Sequence, residues 1–459
     1  MGVIVARFNL VSIFLLLLAA LLFAPASFAL TFSEARHLSL RAGFGPEPIL
    51  INKLLSLKKG EAITYLLRQC EKDFVVPACA QETLIPYVRI KEFDDPKLKA
   101  FRQSQNKCKG ALKQAYANHL LSNDSNDVLL HRMELFWHNH FTSSLAKVPY
   151  AALMYEQHNT IHKNALGNFR VLLHSVIRDP AMIMYLDNNN NNKAKPNENL
   201  GRELLELFTL GVGNYSEKDV KEVARALTGL SIDNANFVPR FYPERHDYAK
   251  KTILGETGYF GADAVVEILL NKPQVAKHIT RKLWLEFVSK ENEEEIARLS
   301  KIFYQDWNIT RLVRGILASK AFWADAGNMT KSPLELVVGG SRLLPGMVPG
   351  NSVPNLVNRM GQNIFDPPNV KGWPIGSDWI NSKSYVERVK FTEQLTRGLQ
   401  PKRYKKSLSF LCERGASELA ASPVLVTPAS AKITDIGANG EACVDDLARV
   451  FEHPAWQLK

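Results

Sequence analysis

The chain has 459 residues, 46% of them hydrophobic, and its 57 basic and 46 acidic side chains give a formal charge of +11. An apolar fraction of that size is ordinary for a protein with a real core. The basic excess is diffuse, its only cluster being Lys402-Arg403-Tyr404-Lys405-Lys406, which reads as a solvated turn. Nucleic acid is therefore a poor partner, and a mild basic bias suits an anionic envelope surface or acidic glycan only weakly.

Residues 1–29 have the layout of a secretory signal. Arg7 precedes an apolar run from Leu10 to Ala24, Pro25 ends that run, and Ser27-Phe28-Ala29 is a small-x-small cleavage site. The run is shorter than the roughly 20 residues a spanning helix needs, so cleavage after Ala29 is expected, with an uncleaved anchor as the alternative. The expected compartment is periplasmic or extracellular, where disulfides persist. Of Cys70, Cys79, Cys108, Cys412 and Cys443, the pairs Cys70–Cys79 and Cys412–Cys443 are favoured as local, and Cys79–Cys108 is an equal rival. No cysteine sits in a C-x-x-C or C-x-x-C-H pattern, which leaves a thioredoxin-like or c-type haem role without support.

Helix signals dominate the rest. Ser33 precedes a run that Gly43 stops, residues 127–146 carry Leu129, Met133, Phe136, Trp137 and His140 at helical spacing, and Phe169 to Leu186 repeats the pattern. Asn197 opens a helix with the stripe Leu200, Leu204, Leu207, Phe208, closed by Gly211. Ser216-x-x-Asp219 resembles a capping box, and Ser332-Pro333-Leu334-Glu335 is one with Pro at the first helical position. Strand alternation is scarce. The expected fold is mainly α, a multi-helical globular body with long loops and little or no sheet. Its expected divisions are a signal peptide over 1–29, a helical domain over 30–400 and an appended segment over 401–459.

Five stretches stand out: Arg41 to Gly45; Trp137-His138-Asn139-His140-Phe141; Pro196 to Gly211 continuing to Gly229; His246-Asp247 with Lys251-Thr252 and Gly255; and Gly361-Gln362 through Asn369-Val370-Lys371-Gly372-Trp373-Pro374 to Trp379-Ile380-Asn381. Their order and spacing resemble the bacterial domain-of-unknown-function 1800 family over about residues 32–395. The resemblance implies no activity. It does imply a partner, a co-exported sulfatase-like protein, because genes of the two families are often neighbours. Gly201 departs from the Ala more usual in the family and should soften its helix by about 1 kcal/mol.

Four constellations carry candidate chemistry. Asp187, Asn189, Asn191 and Glu198 fall at positions 1, 3, 5 and 12 of a twelve-residue stretch, the ligand spacing of a calcium loop, for Ca2+ or another divalent metal. Asn192 stands where Gly is usual, and Lys193 and Lys195 lie inside; an Asn-rich surface loop before an ordinary helix cap fits equally. Glu134 and His138, at i and i+4, share a helix face and can hold a metal together with His246 or Asp247, whereas His140 reads as a core histidine. Glu203, beside an apolar stripe, is the best candidate for a partly buried acid, with structural ion pairing as the alternative. Asn369, Lys371, Trp373 and Trp379 form a rigid loop for stacking on sugars or for packing on the body.

Two functions follow. In the first, His138, Glu203, His246 and Asp247 gather as a catalytic site under the Trp373 loop, while Arg202 and Lys251 hold an anionic group. The reaction is then hydrolysis or transfer on an envelope or extracellular polymer. In the second, the protein is a non-catalytic envelope binding or assembly factor.

Overall fold

The computed structural model describes residues 29–68, 75–81, 94–122, 127–344, 346–397, 451 and 453–459. Residues 1–28, Cys70, Cys412, Cys443 and the basic cluster at 402–406 lie outside the described residues, so the signal peptide and two of the cysteine pairings belong to the sequence alone. Among the described residues no helix is long and apolar enough to cross a membrane.

The body is mainly α. The first helices are α1 (Phe32–Ala42), α2 (Pro48–Leu55), α3 (Lys59–Leu66), α4 (Asp95–Leu121), α5 (Val128–His140), α6 (Ala151–Asn164), α7 (Phe169–Ile177) and α8 (Pro180–Tyr185). Next comes α9 (Asn199–Leu205), which runs into one π-helical turn, Glu206–Leu210, and then α10 (Glu217–Ala226). Two short antiparallel hairpins follow. They pair β1 (Leu230–Ile232) with β2 (Pro239–Phe241), and β3 (Lys251–Ile253) with β4 (Glu256–Gly258). The remaining helices are α11 (Ala262–Leu270), α12 (Pro273–Phe287), α13 (Glu293–Asp306), α14 (Ile309–Leu317), α15 (Lys320–Ala324), α16 (Pro333–Leu343), α17 (Val353–Arg359) and α18 (Ser382–Arg397). Both expected caps form. Ser216 accepts from Asp219 N, and Ser332 from Glu335 N, each with the reciprocal bond. The first helix starts earlier than Ser33, on a capping box between Thr31 and Glu34.

One apolar core runs without a break from Leu30 to Trp456. Phe451 and Trp456 belong to it, and Lys459 N donates to Met329 O at 2.8 Å, so the segment expected as an appendage from 401 is tied into the body at its far end. Arg41, fully buried, donates to Asp325 Oδ2 at 2.8 Å and to the carbonyl of Lys459 at 2.9 Å. The disulfide joins Cys79 to Cys108 on α4, which corrects the favoured Cys70–Cys79 pairing in favour of its rival.

Helix α5 is the axis of this core. It is buried on nearly every side, as a helix inside a large body is, yet it brings His131, Arg132, Glu134, His138 and His140 in with it. Burying such groups requires partners for each. Arg132 finds Glu286 at 2.6 Å and also pairs with Glu335. His140 meets Phe208 O in the π-helical turn at 3.2 Å and Lys282 Nζ at 3.0 Å, as a core histidine should.

The glycines of the first family stretch have a steric reason. A Cβ on Gly45 would lie 2.6 Å from the Cα of Gly339 in α16, and a Cβ on Gly339 would collide with the carbonyl of Phe44. Gly201 is likewise set against α10, where a Cβ would stand 3.2 Å from Ala224 N, so the departure from Ala permits a close helix contact. Gly339→Ala should destabilise the protein by about 2–4 kcal/mol, read as a lowered urea midpoint with an unchanged slope.

Asp179 caps α8, its Oδ1 accepting from Met182 N at 2.9 Å and from Gln157 Nε2 at 3.0 Å. Burial pushes its carboxyl from 3.8 up to about 7. The folded form thus holds its proton where the unfolded chain has lost it. Stability contributed at this site falls as pH rises from about 4 to about 7 and is flat above, by roughly 3–4 kcal/mol at most. Asp179→Asn keeps both acceptor bonds, so the difference in unfolding free energy between pH 5 and pH 8 should shrink in that variant.

Candidate functional site

In the stretch 187–198, expected as a calcium loop, the protein's own groups engage several of the oxygens that would serve as ligands. Asp187, in the left-handed region at φ 58°, accepts from Lys147 Nζ at 2.6 Å. Asn191 is buried. It donates to Ala224 O at 2.9 Å and accepts from Asn197 N at 2.9 Å. Asn189 offers its carbonyl to Ser231, and Glu198 pairs with Arg202 at 3.0 Å. The asparagines are the mortar between α8, α10 and the first hairpin.

A second group of expected residues is engaged by partners within the fold. Arg202, expected to hold an anion, already lies between Glu198 and Glu217, 2.7 Å from the latter. Lys251 is buried and donates to the carbonyls of Asp247 and Ala249, bracing its own turn. Asp247 accepts from Arg225 Nε at 2.7 Å, which with an internal bond to Ala249 N holds its carboxylate below the usual range. His246 Nδ1 lies 2.8 Å from Thr228 O. Among the described residues no hydrogen bond or ion pair links His138, Glu203 and the His246-Asp247 pair.

Two family stretches do meet here. At the end of α5, Asn139 Oδ1 accepts from Trp373 N at 2.6 Å. Gly372, at φ 91°, is pressed so closely onto Asn139 that a Cβ there would overlap it. This docks the 369–374 turn. Trp373 and Trp379 are buried in the docked turn, which corrects the stacking reading: neither presents an open ring face. Asn369 and Lys371 remain exposed. Glu203 on α9 is half-buried, its carboxyl raised by burial first and by Glu206 second, with the charges of Arg202 and Lys371 opposing. Tyr185, also half-buried, has its phenol raised by burial, then by Glu203 and Asp366. Asp366 accepts from Ser144 Oγ and, at 3.0 Å, from Ala146 N.

Behind this surface lies a cluster that the sequence reading only half reached. Glu134, with no exposed surface, faces not His246 but the histidines of α4, α5 and α6. Its Oε1 is 2.6 Å from His162 Nδ1 and its Oε2 is 3.2 Å from His131 Nδ1. His138 Nε2 and His158 Nδ1 share a hydrogen bond of 3.1 Å, their rings stacked. Burial tends to raise the Glu134 carboxyl, but His131, His162 and His158 outweigh it and hold it well below the usual range. Burial lowers His138 and His119 to about 4 and His158 to about 3. The available signal was His131-x-x-Glu134-x-x-x-His138 followed by His158-x-x-x-His162, two one-face spacings on successive helices.

The family model described as "Protein of unknown function (DUF1800)" matches residues 37–457. The chain belongs to the DUF1800 family. No curated protein and no solved structure matches it. In this DUF1800 chain the Trp-His-Asn-His-Phe stretch serves two sites at once: Asn139 fastens the Trp373 turn outside, and His138 joins the histidine cluster inside. Asn139→Ala should release the 369–374 turn at a cost of about 1–3 kcal/mol for the Trp373 amide left without its acceptor. Faster hydrogen exchange confined to that turn, with α5 still protected, would show it.

Proposed function

We propose that this is an exported acid–base enzyme, a hydrolase or transferase acting on an envelope or extracellular polymer, with its reaction centre at Glu203, without the His138, His246 and Asp247 first grouped with it from sequence. The observation that carries this reading is a half-buried carboxyl, raised by its surroundings, within electrostatic reach of the exposed Lys371 on the turn that Asn139 docks. A carboxyl whose titration is shifted upward keeps its proton to higher pH than a free one and can donate it to a leaving group. Lys371 supplies a cation for an anionic substituent, and Tyr185 lies close enough to sense the same charge. The basic balance of the chain suits an acidic polymer.

The test is release of soluble products from purified peptidoglycan and from an acidic exopolysaccharide. Glu203→Gln should lower turnover by about 10²–10⁴-fold without lowering the melting temperature, and Lys371→Ala should raise KM more than it lowers kcat. Activity that depends on protonated Glu203 should fall as pH rises through its titration. Full activity in Glu203→Gln would overturn the assignment.

A specific surface supports the second reading, an assembly factor for a co-exported sulfatase-like protein. Phe241, Tyr248 and Tyr259 stand 48%, 60% and 73% exposed around the two hairpins, and the His246 ring lies between Phe241 and Tyr248. Clustered exposed aromatics mark partner surfaces more than catalytic ones. Loss of partner co-purification in Phe241→Ser with Tyr248→Ser, with polymer cleavage absent in wild type, would favour it over the enzyme.

A further inference from the structure

Glu134 is compensated in an uncommon way. Among the described residues no lysine or arginine ion-pairs with it, and Arg132, two residues away, turns to Glu286 and Glu335 instead. What encloses the carboxylate is imidazole: His131 and His162 on its two oxygens, with His119 and His158 beside them. A carboxylate set among imidazoles is a donor set for a transition ion before it is an ion pair.

We propose that Glu134, His158 and His162 bind one divalent first-row transition ion, of which Zn2+ is the simplest. Their ligand atoms lie within 4.8 Å of one another, close enough to contract onto an ion at the usual distance of about 2.0–2.2 Å. His158 and His162 are four residues apart on α6 and share its face, as helical metal-binding histidine pairs do. Glu134 comes from α5, so the ion would staple two central helices. Two histidines and one carboxylate leave a fourth position for water or another donor.

The next layer is in place too. His138 engages Nδ1 of His158 at 3.1 Å, which leaves Nε2 as the His158 ligand atom. His131 holds the second oxygen of Glu134 at 3.2 Å. Such outer bonds fix ring orientation and tautomer in metal sites. His119, His131 and Glu134 form a second compact set. There the two imidazoles pack edge-to-face with centroids only 4.3 Å apart, whereas those of His158 and His162 are 6.2 Å apart and leave room between them. This site is independent of Glu203, so either can fail alone.

The full chain, purified after export, stripped with chelator and dialysed against Zn2+ or Co2+, tests this. We expect about one ion per chain by mass spectrometry, and for Co2+ the visible bands of an imidazole and carboxylate site. His162→Ala, the mildest ligand removal because that side chain keeps 13% exposure, should leave under about a tenth of an ion. His138→Ala, a positioning residue, should weaken binding by about 10–100-fold while saturating metal restores the full count. Glu203→Gln should bind normally. Wild-type protein that takes up no Co2+ and less than about a tenth of a Zn2+ overturns the proposal without any variant. So does an ion lost in His119→Ala but kept in His162→Ala.

Discussion

The rest of the structure depends on one constraint: a helix buried on every side cannot carry charged groups unless their partners are buried with it. Helix α5 is that helix. Arg132 draws Glu286 of α12 and Glu335 of α16 inward on one side. Glu134 draws His158 and His162 of α6 and His119 of α4 inward on another. His140 fixes the carbonyl of Phe208 and the Lys282 amine on a third. Hydrophobic burial supplies the drive to fold, but these polar contacts settle which helices lie against α5 and in what register.

This accounts for the doubled use of the Trp-His-Asn-His-Phe stretch. Successive residues on a helix point about 100° apart, so neighbours serve different surroundings: His138 the interior, Asn139 the docked turn, His140 the π-helical turn. The His138 ring also packs on Phe365, 5.1 Å away, whose chain neighbour Asp366 accepts from Ser144 and Ala146. The outer acid and the inner cluster are separate in chemistry and adjacent in structure.

The helices, their caps and the mainly α class were legible because they are local: Ser332 and Glu335 are three residues apart and need nothing else. The candidate sites were harder. The spacing of Asp187, Asn189, Asn191 and Glu198 fits a calcium loop, but spacing cannot show that Asn191 bonds the carbonyl of Ala224, 33 residues on. Trp373 and Trp379 looked like platforms because aromatic residues in polar loops often are, and only the contact with Asn139 shows the turn lying flat. Helical spacing puts Glu134 and His138 on one face, but the imidazoles that reach the Glu134 carboxylate belong to His131 of its own helix and His162 of the next, which spacing alone does not reveal. Arg202 shows the limit most plainly: the pair with Glu198 follows from helical spacing, and the pair with Glu217, fifteen residues away, from folding alone.

The bond between Arg41 and the carbonyl of Lys459 spans 418 residues. Arg41 has no exposed surface and shares Asp325 with Ser289, so this junction is a keystone inserted after the arch, not a first stone. The acceptors around Arg41 are complete only once residue 459 is in place, and a contact that closes so long a loop is expected late in folding. For a chain that leaves the cell as we propose, such a delay is useful. It would keep the polypeptide threadable through a narrow channel and postpone the locked state until this distant contact forms.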